Sequence, residues 1–76
     1  MTPKFPNISV DLTAVDSNAY SIMGAVTTAM RRGGCSRDEQ DAYRKEAMSG
    51  DYDNLIQVSM RTVNVTGGIE EDEDDQ

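Results

Sequence analysis

A chain of 76 residues allows one domain, whose single core supplies only about 3–5 kcal/mol, so a protein this small leans on a metal, disulfides or a partner for the rest. One cysteine, Cys35, and no histidine exclude an intramolecular disulfide framework and the usual structural zinc sites. The formal net charge of -7 is concentrated in one run, Glu70, Glu71, Asp72, Glu73, Asp74 and Asp75, and without it 8 acidic residues face 7 basic ones.

The first predicted element lies in "PKFPNISVDL". Ile8, Val10 and Leu12 alternate with Asn7, Ser9 and Asp11, and that period of two reads as a half-buried strand entered through a proline-rich leader. In "TAVDSNAYSIMGAVTTAMRRGG" the spacing of Tyr20, Met23, Val26, Thr27 and Met30 predicts a helix from Asn18 to Arg32. Asp16 or Ser17 is the expected cap, Gly33 and Gly34 the stop, and Arg31 and Arg32 suit the negative end of the helix dipole. Gly24 inside the helix costs about 1 kcal/mol relative to alanine, which points to close approach of another element.

Ser36 followed three residues later by Glu39 has capping-box spacing, and a second helix is expected from Arg37 to Met48. Its apolar face is thin: Ala42, Tyr43, Ala47 and Met48. Ser49 and Gly50 then end that helix, Asp51 caps a third beginning near Tyr52, and Asp53 falls in its first turn, where a carboxylate is favourable. Leu55, Ile56, Ser59, Met60 and Val63 continue at helical spacing before Val63 and Val65 shift to strand alternation. The expected architecture is a small α+β domain of order β-α-α-α-β over residues 1–66, with two short paired strands and the helices on one face. Residues 67–76 read as a flexible acidic tail, because such a composition buries too little surface to fold.

The pattern of "VDLTAVDSNAYSIMGAV" followed by "YRKEAMSGDYDNLIQVSMRTVNV" resembles a group of small bacteriophage and prophage proteins. That group combines a strand, an Asn-Ala-aromatic helix with a nearby glycine, and a Ser-Gly-Asp-Tyr segment before the last helix. The resemblance covers roughly residues 8–65. It implies a phage origin and an accessory role in the host cytoplasm, and carries over no catalytic residue.

The residues themselves argue against an enzyme and name no cofactor or metal. A serine or cysteine nucleophile needs a base, and histidine is absent; the arginines around Cys35 would lower its pKa, yet a cysteine between two helices is first a loop residue. "RRGGCSR" lacks the ending of a phosphate-binding P-loop. Anion binding is the chemistry best supplied: Arg31, Arg32, Arg37, Arg44 and Lys45 gather around the start of the second helix, where Ser36 and the free amides of that helix also point. With Tyr52 and Asp53 the four arginines form the candidate binding set, against the plainer expectation that the cations pair with Asp38, Asp41 and Glu46. The acidic run from Glu70 to Asp75 can mimic a phosphate backbone toward a basic protein groove, or simply keep the protein soluble.

No stretch of about 18 apolar residues occurs, so the chain is expected to be soluble and cytoplasmic. Membrane contact and direct nucleic-acid binding are not expected; there is no aromatic-interleaved basic face. The expectation is a homo-oligomer that binds and inhibits a host defence or nucleic-acid-processing protein. The alternative is a dimer that sequesters a nucleotide or another anionic metabolite.

Overall fold

A computed structural model describes residues 2–13 and 15–67. The chain forms β1 (Phe5–Asp11), α1 (Ala19–Arg32), α2 (Arg37–Ala47), α3 (Tyr52–Thr62) and β2 (Val63–Gly67) in that order. This is the β-α-α-α-β architecture read from the sequence. The strands are neighbours in a two-stranded sheet and run parallel. Three helices folded back and forth between them account for the direction, since parallel strands need a long crossover. Val10 pairs with Val65 and Ser9 with Asn64, and the register is irregular between Phe5 and Ser9. Pro6, which has no N–H to donate to a ladder, lies inside that irregular stretch.

Helix boundaries follow the capping chemistry. Asn18, rather than Asp16 or Ser17, caps α1, its side chain accepting the Ser21 N–H at 2.9 Å. Ser36 and Glu39 complete a reciprocal capping box at 3.1 and 2.7 Å. Asp51 caps α3 by accepting the Asn54 N–H at 3.0 Å. The second helix stops at Ala47, with Met48 as its C-cap, one residue short of expectation. At the other end Gly67 is the last residue of β2. The acidic residues 70–75 lie outside the described residues.

One core joins the layers. Ile8, Val10 and Leu12 of β1 and its exit, Ile22, Val26 and Met30 of α1, Tyr43 of α2, Leu55 and Val58 of α3, and Val63 of β2 are all buried. Thr27, Ser59 and Thr62 are buried too, and each hydroxyl donates to the carbonyl four residues earlier, at 2.9, 2.9 and 2.7 Å. Because the Ser59 proton is committed to Leu55, the Tyr43 hydroxyl donates to Ser59 Oγ, 2.6 Å away. That bond ties α2 to α3.

Several residues counted on apolar faces turn outward. Tyr20, Met48 and Met60 are 76%, 56% and 52% exposed, and Ala42 is exposed as well. Val58 occupies the core position that spacing assigned to Met60. At Gly24 an added Cβ would meet no atom within 4 Å, so close approach of another element of the chain does not explain this glycine.

Candidate functional site

The segment from Met48 to Leu55 is first a helix joint, and each polar group has a structural partner. Ser49 Oγ donates to the Glu46 carbonyl at 2.7 Å. Asn54 Nδ2 reaches back to the Glu46 and Ala47 carbonyls at 3.1 and 3.4 Å, satisfying the orphan acceptors that end α2. Gly50 leaves room for this: an added Cβ would sit 2.9 Å from Asn54 Cβ. Asp53 accepts a hydrogen bond from Gln57 Nε2 at 3.0 Å. Tyr52 bridges out of the joint, its hydroxyl donating to the Ser17 carbonyl at 2.6 Å, beside the cap of α1.

That bridge brings together parts of the chain remote in sequence. Between the first turn of α1 and the α2–α3 joint lies a cavity of about 250 Å³, with Tyr20, Met23, Met48, Tyr52 and Leu55 among its lining residues. Met23 and Leu55 form a buried floor, while Tyr20, Met48 and Tyr52, the last 47% exposed, stand around it in solvent. Two phenols and a thioether on a concave rim are the residue types from which protein-binding hot spots are built. Sequence spacing misses the grouping because it places Tyr20 and Met48 on the inward faces of their helices, whereas both are exposed. The signal that could have found it is the repeated tyrosine one or two places after an N-cap, at Asn18 and again at Asp51.

The predicted cationic site divides. Arg31 and Arg32 occupy the last turn of α1, whereas Tyr52 stands beside its first turn. A helix of 14 residues is about 21 Å long, so no small anion touches both ends. Around the α2 start the structure keeps Arg37 but not Arg44, which lies nearly two turns along, donating to Thr27 Oγ1 at 3.4 Å and pairing with Asp41 at 3.5 Å. The anion position at the helix N-terminus is filled from within: the Glu39 carboxylate accepts the Ser36 N–H at 2.7 Å. Of the expected neutralising pairs, Arg44–Asp41 forms, and Glu46 instead approaches Arg61 at 3.9 Å.

Cys35 is not activated. Burial, with the Glu39 charge beside it, pushes the thiol above its ordinary value, opposite to the lowering expected from neighbouring arginines. It packs against the core edge, in the structural role of a loop cysteine. Among the described residues no cluster of acidic, cysteine or histidine side chains could hold a metal ion, and no helix is long and apolar enough to cross a membrane.

No family model, curated protein or solved structure matches this chain. The site's own geometry therefore carries the functional reading.

Proposed function

We propose that this chain is a non-catalytic bacteriophage accessory protein that docks on a host defence or nucleic-acid-processing protein and inhibits it. The observation that carries the docking surface is the convergence of Ala19 and Tyr20 with Gly50, Asp51 and Tyr52 around one apolar groove. They belong to the two segments on which the phage resemblance rests. Exposed aromatic side chains cost little conformational entropy on binding and gain large contact area, which favours a protein partner over a small anion.

The acidic run from Glu70 to Asp75 supports the same reading through its charge alone: six carboxylates add long-range attraction toward a basic surface on a protein partner.

The test is native mass spectrometry of the full chain purified from bacterial host cells, compared with a Tyr20→Ala/Tyr52→Ser variant. A co-purifying protein of defined mass, present with the natural sequence and lost from the folded variant, is the expected result. A retained small anionic molecule, or a retained protein indifferent to both substitutions, would overturn the reading.

A further inference from the structure

Among the described residues, one long side of β1 faces no strand. Lys4 N–H donates to the Arg61 carbonyl at 2.8 Å and Leu12 N–H to that of Gly67 at 3.0 Å, while the Val10 carbonyl accepts from Thr66 Oγ1 at 3.3 Å. These groups all face β2. Successive peptides of a strand turn to opposite edges, so Ser9 and Asp11 present their N–H and C=O groups to the other side. A groove of about 610 Å³ runs there between β1 and α1. Gly24, Ala25, Thr28 and Ala29 line its helical wall, and Arg32 stands at one end.

We propose that this edge is a self-association surface, on which two copies pair their β1 strands antiparallel about a two-fold axis near Ser9. The product is a four-stranded sheet in the order β2-β1-β1-β2, with the two α1 helices flank to flank beneath it.

Three observations select a second copy as the occupant. The first is charge. Gly33 lies against Ile8, an added Cβ falling 2.6 Å from Ile8 Cγ1, so Arg32 sits toward the Asn7 end of the groove; Asp11 marks the other end, its exposed carboxylate accepting the Thr13 N–H at 2.9 Å and leaning toward Gly67. A strand paired with its own copy by two-fold symmetry is antiparallel and isologous. Each acidic end is then brought to the other copy's basic end, twice over. Opposite charges in register also specify the pairing. The second is Gly24, where an added Cβ would meet no atom of another element among the described residues within 4 Å. A glycine followed by Ala25, Thr28 and Ala29 on one flank lets a second α1 approach closely, and the glycine's helix-propensity cost of about 1 kcal/mol then has a reason. The third is the sheet itself, whose outer backbone edge is of the kind that templates another chain. The surface is distinct from the Tyr20–Tyr52 groove, and opposed strands would leave the two grooves at opposite ends of the dimer.

Sedimentation equilibrium of the full chain from about 1 µM to 1 mM tests the proposal, with Ser9→Pro and Gly24→Leu as variants. Ser9→Pro removes an outward N–H that β2 does not use, and Gly24→Leu fills open space with a better helix former. The expected result is a monomer–dimer equilibrium whose dissociation constant rises about tenfold or more in each folded variant. A natural chain that stays monomeric throughout, or a dimer that tolerates Gly24→Leu, overturns it. Should Ser9→Pro fail to fold, amide exchange at Ser9 in the natural chain decides in its place. Protection that grows with protein concentration supports strand pairing, and protection independent of concentration sinks it, leaving the edge free for a peptide of another protein.

Discussion

Tyr43, alone among the three tyrosines, lies in the core. Burial pushes its phenol above the ordinary value of 10.0, with the Arg44 charge acting in the opposite sense without reversing the shift. The sign of the consequence follows from linkage. The folded state holds this proton more tightly than the unfolded chain, so the contribution to stability is complete below the unfolded value of 10.0 and disappears as pH rises through the higher folded one. Urea denaturation followed between about pH 9 and 11 is expected to show stability falling in the natural protein. In Tyr43→Phe that part of the slope is absent, and an unchanged slope would assign the alkaline loss to other groups. Tyr52 shows the contrasting use of the same side chain: one end bonded to a backbone carbonyl, the ring left in water.

At the level of elements, the caps carry most of what local sequence determines. Ser36 with Glu39, and Asp51, do in the structure what their spacing announces, and Asn18 takes the cap that two neighbours also offered. Replacing Asp51 by alanine is expected to lower stability by about 0.5–2 kcal/mol, read from chemical denaturation. Unchanged stability with lost partner binding would show that Asp51, which lines the Tyr20–Tyr52 groove, serves recognition instead. The apolar faces were less legible. A helix with a thin apolar stripe can be turned by a fraction of a turn without changing its periodicity. Tyr20, Met48 and Met60 match helical spacing yet face solvent, because core volume goes to Val26, Met30, Tyr43 and Val58. Nothing local distinguishes the two rotations; packing of three helices on one short sheet does. The candidate site escaped for the same reason, since its rim consists of residues that spacing assigned to the core.

Across the whole molecule the two grooves have separate linings, one between the start of α1 and the α2–α3 joint and the other between β1 and α1. The order of elements was readable from periodicity and caps, and the parallel strand direction follows from three reversing helices. The proximity of residues 17 and 52 was not readable, since it depends on where α3 docks. Truncation after Gly68 tests how far the acidic run matters. Removing it is expected to slow association with the partner and flatten its salt dependence, while affinity stays within about tenfold of the full chain. Surface-plasmon kinetics at two ionic strengths measure both effects. Complete loss of binding by a folded truncated protein would make the carboxylates the principal contact in place of Tyr20 and Tyr52.

The parallel sheet also dictates an order of assembly. The hydrogen bonds from Lys4 to Arg61 and from Leu12 to Gly67 close loops that contain nearly every other described residue. Each helix can form from neighbours within microseconds, but a loop of that length must give up its closure entropy before strand pairing returns anything. During synthesis β1 precedes all three helices, and β2, its mate among the described residues, follows them. Until then Ile8 and Val10 have no paired strand beside them, and only helical side chains of the same core can shelter them.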